Sequence, residues 1–201
     1  GCTEDGKMIV LASNSASRRS MLSAAGISHE VISPQIDERL IEGGLTQCHP
    51  GQVAEALSVA KAYDVAKKNP ERLVLGGDSL VVCGGHRFNK AASEREAAEH
   101  LRFFSGKTLE LHSAAAIVQG NSCEWSTVSV AKLRVRQLSS GFIQTYLRSE
   151  WPEVSHCAGV FRFEALGVQL FERVDGDCFV VLGMPLIEVL GALRSLRVLQ
   201  S

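Results

Sequence analysis

Apolar positions in this chain follow two periods, and the two alternate along it. Met8-Ile9-Val10-Leu11-Ala12 is a short unbroken apolar run, the pattern of a buried strand. Met21, Leu22 and Ala25 follow at helical spacing, with Gly26 placed to cap the turn. His29 to Ser33 alternates as a second strand and leads into Pro34 and the acidic pair Asp37-Glu38. Gly43-Gly44 to Pro50-Gly51 reads as loop. Gln52 to Lys68 carries Val53, Ala56, Leu57, Ala60 and Val65 along one side, which predicts an amphipathic helix stopped by Asn69-Pro70. Leu73-Val74-Leu75 then predicts a buried strand that breaks at Gly76-Gly77 and delivers Asp78. A second apolar run, Leu80-Val81-Val82, ends at a Gly84-Gly85 turn.

In the second half, Ser93 and Glu96 have capping-box spacing, and Ala97, Leu101 and Phe104 continue a helix to Ser105-Gly106. Leu109 to Gln119 and Trp125 to Val135 flank Gly120-Asn121 and predict a long hairpin. Ser139 opens a helix through Phe142, Ile143, Tyr146 and Leu147, ending near Pro152. Val168 to Val174 predicts a strand, Asp175-Gly176-Asp177 a turn, and Phe179 to Leu182 a strand pairing back. Pro185 then starts a last helix with Leu186, Val189, Leu190 and Leu193 inward. Strands alternate with helices except at the hairpin, so the class is α/β with a mixed, twisted sheet and flanking helices. Residues 8–201 form one domain, and the polar start, Gly1 to Lys7, reads as a tag remnant or frayed terminus, not a signal peptide.

Composition narrows the classes of function. A chain of 201 residues with net charge -1 carries no global signal for a nucleic-acid or membrane surface. No apolar run approaches the ~20 residues that a spanning helix requires. The six cysteines are scattered, without a C-x-x-C pair or zinc spacing, the usage of reduced thiols in a cytoplasmic protein. His156-Cys157 is an adjacent pair, but thiol catalysis arranges its partners in space, so adjacency is weak support for a thiol enzyme.

Three features are candidates for chemistry. Asp78 at the mouth of a buried strand is costly unless paired, metal-bound or used; an Asp that forms a turn or caps a helix is the plainer reading. The loop Ser13-Asn14-Ser15-Ala16-Ser17-Arg18-Arg19 joins a strand to a helix N-terminus, where hydroxyls, free N–H groups and arginine suit an anion. Capping serines and solvated arginines give the same composition. Lys61 stands mid-helix beside small alanines, where a long cation either reaches past them to a site or is simply solvated.

Three stretches, in order, resemble the Maf family of nucleoside triphosphate pyrophosphatases. The first runs from Leu11-Ala12-Ser13-Asn14-Ser15-Ala16-Ser17-Arg18 through Leu22, Gly26 and Asp37-Glu38. The second joins Lys61-Ala62, Gly76-Gly77-Asp78-Ser79, Lys90 and Ser105-Gly106. The third joins Ala158-Gly159, Gly167, Phe171-Glu172, Gly176-Asp177 and Leu182-Gly183-Met184-Pro185-Leu186. The resemblance implies a Maf/ITPase-like fold with two lobes around a central cleft, a cytoplasmic location and frequently a homodimer. It implies hydrolysis of a nucleoside triphosphate to monophosphate and pyrophosphate with a divalent cation, Mg²⁺ or Mn²⁺. Carried over position by position, the phosphate-binding serine and arginine fall on Ser13 and Arg18, and the acid after the second strand on Glu38. The two lysines fall on Lys61 and Lys90, and the catalytic aspartate on Asp78. Those types suit the reaction: Arg18, Lys61, Lys90 and a metal offset charge at the α-phosphoryl group. Glu38 and Asp78 hold the metal, or Asp78 orients and deprotonates water.

The departures from the family pattern are specific. Where the family has Ser-Pro-Arg-Arg-x-Glu, this chain has Ser15-Ala16-Ser17-Arg18-Arg19-Ser20. Its Gly-Lys-Pro becomes Asn89-Lys90-Ala91, which keeps the lysine. In the late segment, His156-Cys157 replaces an Asp-Lys pair and Glu164 replaces the site glutamine. Glu164 is therefore expected to contact substrate and select a nucleotide with a donor-rich base edge, a carboxylate being acceptor only. Holding the metal and pairing with Arg162 are its alternative roles. Two functions compete: a pyrophosphatase on a modified or non-standard nucleotide in a house-cleaning role, and a cell-division-linked nucleotide-binding regulator with a degenerate site.

Overall fold

The structure, a computed structural model, describes residues 8–201, so the expectation for Gly1 to Lys7 lies outside the described residues. The chain divides into two compact units. Unit 1 holds the chain up to Asp78, Ser113–Ser129 and Gly183–Ser201; unit 2 holds Ser79–His112 and Val130–Leu182.

Unit 1 begins with β1 (Ile9–Ala12), all four residues of which are buried. It pairs in parallel with β2 (His29–Val31) on one side and with the start of β3 (Leu73–Cys83) on the other. Between β1 and β2 lies α1 (Ala16–Ala24), where the Ser15 hydroxyl accepts the Arg18 N–H. Between β2 and β3 lie α2 (Glu38–Gly43) and α3 (Pro50–Ala66). The sequence pattern does not predict α2, because it is short and buries no residue to give a periodic signal. In α3, Val53, Leu57 and Val65 of the expected stripe are buried while Ala56 and Ala60 are only half-buried, and burial falls also on Ala54, Ala62 and Ala66, small residues that let strands approach closely. Val10, Ala12, Ala62, Val65, Ala66, Val74 and Val118 form one core cluster of this unit.

Unit 2 takes the second half of β3, which turns through Gly84 and Gly85, both at positive φ, into antiparallel β4 (His86–Phe88). Helix α4 (Glu94–Phe104) starts under Ser93, whose hydroxyl accepts the Glu96 N–H, while Glu96 accepts the Ala92 N–H. The predicted hairpin is β5 (Thr108–Gln119) with β6 (Ser122–Val135), and α5 (Ser140–Glu150) follows its Ser139 cap. The strand order is β2-β1-β3-β5-β6-β7, where β7 is Phe171–Asp175 and pairs antiparallel with β6. This is the mixed α/β sheet that the alternation of elements predicts.

Three expectations need correction. The run around Asp78 does not break: β3 is continuous through Gly76, Gly77 and Asp78, so Asp78 sits mid-strand and not at a strand mouth. The glycines mark close approach instead of a turn. A Cβ on Gly76 would stand 2.2 Å from the Ser58 carbonyl oxygen of α3, and one on Gly77 2.9 Å from Arg18 Nε. The expected strand from Val168 starts later, because Leu166–Leu170 forms a 3₁₀ turn before β7. The apolar run Phe179 to Leu182 is helix α6 (Cys178–Leu182), not a strand. Asp177 decides this by accepting the Phe179 N–H on its side chain at 2.8 Å and the Val181 N–H on its carbonyl at 3.2 Å; four apolar residues alone do not fix a period. The last helix, α7 (Leu186–Ser195), follows Pro185 as expected, with Leu186, Val189 and Leu193 buried and Leu190 only half-buried.

Gly76→Ala tests the close approach. The added methyl has backbone beside it and must push α3 from β3, so a loss of about 1–3 kcal/mol or more is expected in urea unfolding. A midpoint equal to the parent's would show that the strand–helix spacing has slack.

Candidate active site

Asp78 is central to unit 1's polar cluster. Strand β3 holds it rigidly, and only 7% of the residue remains exposed. Its Oδ1 accepts a hydrogen bond from Lys61 Nζ at 2.7 Å, while its Oδ2 is buried and makes no hydrogen bond among the described residues. A buried charged acceptor left without a donor costs at least about 1–3 kcal/mol, so a fold keeps one only with compensation or use.

Lys61 extends from α3 past the alanines, as one of its two readings has it. Its ammonium also meets Glu38 Oε1 at 2.8 Å. Glu38 is the first residue of α2, whose Asp37 cap accepts the Leu40 N–H at 3.2 Å. Two carboxylates from separate segments thus converge on one ammonium.

Arg18 lies in the first turn of α1 and is buried. Its Nε donates to the Gly183 carbonyl at 2.8 Å and its Nη1 to the Ser13 hydroxyl at 3.2 Å. Gly77 lets that guanidinium lie against β3. The same Ser13 hydroxyl accepts the Ser15 N–H at 3.1 Å, so hydroxyl, helix start and arginine are one linked group. Serine capping and the anion-suited arrangement coexist here.

The fields oppose one another at Asp78. Burial pushes its carboxyl above the ordinary range, Lys61 and Arg18 pull it down, Glu38 pushes it up again, and the net is upward. Burial likewise lowers Arg18, against the pull of Asp78 and Glu38. A carboxyl raised by burial and held beside fixed cations is the setting of a candidate general base.

Ser13, Arg18, Glu38, Lys61 and Asp78 are therefore brought together within unit 1. Lys90 and Glu164 belong to unit 2 and are both exposed. They share a neighbourhood there: burial raises the Cys157 thiol, Glu164 adds to that rise, and Lys90 and Arg162 oppose it. A raised thiol speaks against Cys157 as a nucleophile. Arg162 binds Glu150 with Nε at 2.8 Å and Nη2 at 3.2 Å, and Glu164 adds a lesser electrostatic pull on the same guanidinium. Sequence reasoning passed over Asp64, a buried acid one turn beyond Lys61, and the Gly183 carbonyl, which stands 165 positions from its partner.

The residues also fit a hard divalent cation. No group of three or more His, Cys, Asp or Glu gathers among the described residues. Glu38 and Asp78 nevertheless converge on Lys61, and Asp78 Oδ2 has no hydrogen-bond partner among the described residues. Mg²⁺-type sites commonly use one or two carboxylates and complete the shell with water and substrate phosphates.

Comparison with known proteins bears on this arrangement directly. The family model described as Maf-like protein matches residues 8–196. The chain belongs to the Maf family. Among its Maf relatives, a nucleoside triphosphate pyrophosphatase of Nitrobacter hamburgensis is 42% identical over 189 residues, covering 94% of each chain. A 7-methyl-GTP pyrophosphatase of Rhizobium meliloti is 39% identical over 196 residues, 96% of this chain and 98% of that one. A solved HAM1 protein from Coxiella burnetii aligns with 64% of this chain and 72% of its own, at 15% identity and TM-score 0.45.

Lys61→Met tests the balance of fields in this Maf protein. It removes both the charge and the hydrogen bond that lower Asp78, so the Asp78 carboxyl should titrate higher than in the parent. A ¹³C carboxyl NMR titration reads this; an unchanged or lowered value would place Lys61 outside Asp78's electrostatic environment.

Proposed function

We propose that the chain hydrolyses a nucleoside triphosphate between the α- and β-phosphates, releasing a nucleoside monophosphate and pyrophosphate. The observation that carries this reading is the Asp78 carboxylate: fixed on a buried strand, raised by burial, bonded to Lys61 through one oxygen and unbonded at the other. Support comes from the relatives, which are named as pyrophosphatases.

In this reading Asp78 Oδ2 takes a proton from water as the water oxygen bonds to the α-phosphorus. The bond from that phosphorus to the bridging oxygen breaks, and pyrophosphate leaves with the electron pair. Lys61 holds the base in orientation and, with Arg18, offsets charge growing on the phosphoryl oxygens. Ser13 and the N–H groups of the α1 start bind phosphate oxygens. Glu38 and Asp78 would hold a Mg²⁺ or Mn²⁺ ion, which would supply charge neutralisation at the phosphates. By resemblance, Lys90 adds positive charge for the same substrate.

Glu164 is proposed to select the base. A carboxylate accepts from the N1–H and 2-amino group of a guanine-type base, and N7-methylation adds a positive charge that favours it further. This places 7-methyl-GTP, the nucleotide in the Rhizobium meliloti relative's name, among the first substrates to try. A cytoplasmic location and a homodimer belong to the proposal by resemblance alone; among the described residues no helix is long and apolar enough to cross a membrane. The regulator reading is not favoured, since Asp78, Lys61 and Glu38 stand together and the relatives are named for hydrolysis.

Three experiments test the reading. Asp78→Asn should bind nucleotide at near-parent affinity and lose at least about 100-fold in turnover, because an amide is neither base nor good metal ligand; turnover within a few-fold of the parent would make Asp78 structural. The parent's kcat/KM should fall on the acid side with a midpoint above the ordinary carboxylate range, the base being inactive once protonated. Glu164→Gln should reorder the preference among nucleotides, with about 1–3 kcal/mol lost on the favoured base. A uniform change across all nucleotides would oppose base reading.

A further inference from the structure

The helix that presents Glu38 is packed lightly: it touches α3, and Ile41 and Glu42 are half-buried. No residue of α2 is buried, and Leu40 is 77% exposed. A six-residue helix has little stability of its own, so polar ties in the segment before it add to that contact in fixing its place. The Ile32 N–H donates to the Leu11 carbonyl at 3.1 Å, and the Ser33 hydroxyl to the Asn14 side-chain oxygen. The Gln35 N–H then donates to Asp64 Oδ2 at 2.7 Å. That last tie is charge-assisted, about twice as strong as a neutral one. Asp64 is 7% exposed, and its other oxygen accepts from Lys67 Nζ at 3.1 Å.

Asp64 lies one turn beyond Lys61 on α3, on the adjoining face. One rigid helix therefore grips the arm twice, by its backbone at Gln35 through Asp64 and by its carboxylate at Glu38 through Lys61. We propose that Asp64 is a positioning residue for Glu38: by fastening Gln35 to α3, it sets where α2 begins and brings the Glu38 carboxylate onto Lys61 beside Asp78. The functional half of this rests on Glu38 serving the proposed hydrolysis; the structural half does not. Burial pushes the Asp64 carboxyl up, but the Gln35 N–H, Lys67 and Lys68 together outweigh it and hold it below its ordinary value. The tie is therefore ionised throughout the neutral range.

The test uses the whole chain with Asp64→Ala, Asp64→Asn and Lys67→Ala. Amide hydrogen exchange is measured across residues 33–43, and pyrophosphate release is measured against Mn²⁺ and nucleotide concentration. Asp64→Ala should exchange faster in that segment while β3 and α4 keep their protection. Its Mn²⁺ midpoint or KM should rise about 10–100-fold, more than kcat falls. Asp64→Asn keeps an oxygen for the Gln35 N–H and should recover most of both effects. Lys67→Ala leaves that bond intact and should match the parent. Parent-like exchange in Asp64→Ala overturns the proposal. So does faster exchange with unchanged Mn²⁺ midpoint and KM in an active parent. A parent that releases no pyrophosphate refutes the proposed function instead, and the exchange data alone then decide whether Asp64 fastens the arm.

Discussion

The ammonium of Lys61 between Asp78 and Glu38 is the interaction on which the rest of the arrangement depends. A carboxylate on a strand buried on both faces is unfavourable by several kcal/mol unless a counter-charge meets it. Lys61 supplies that charge at 2.7 Å, but only because α3 lies almost against β3. Gly76 permits this approach, since any side chain there would meet the Ser58 carbonyl. Gly77 does the same for Arg18. The two glycines are thus part of the site's construction, although neither offers a functional group.

The pairing also leaves the cluster short of full satisfaction. Lys61 occupies one oxygen of Asp78 and one of Glu38, while Asp78 Oδ2 stays buried without a hydrogen bond. Arg18 donates to Ser13 and to the Gly183 carbonyl at the α6–α7 junction, and its charge also acts on Asp78. The outcome is a rigid base with a raised proton affinity, a cation that orients it, and a second carboxylate on a lightly packed helix. The firm hold on Asp78 and the lighter hold on Glu38 arise from the same physics: one rides a buried strand, the other a short helix with no fully buried residue.

Much of this was legible in the sequence, and what was not has identifiable causes. Long periodic segments gave the strands, the hairpin and the main helices. The ordered motifs placed Ser13, Arg18, Glu38, Lys61 and Asp78 as candidates before any geometry was known. The Gly76-Gly77 pair misled, because glycine signals both a turn and a close approach, and only the neighbouring helix distinguishes them. Phe179 to Leu182 misled because four apolar residues carry no period, and the cap on Asp177 decides between strand and helix. Asp64 was passed over because a buried acid inside an amphipathic helix looks like a solvated one until its partner at Gln35 is seen. The bond from Arg18 to Gly183 spans too much of the chain for any local pattern to record it.

The central claim is that Asp78 directs water onto the α-phosphorus of a nucleoside triphosphate. Hydrolysis in oxygen-18-labelled water, read by the isotope shift in ³¹P NMR, tests it most directly. A single turnover should place the label on the phosphorus of the nucleoside monophosphate and none in pyrophosphate. Label found in pyrophosphate would put the attack on the β-phosphorus and contradict the account.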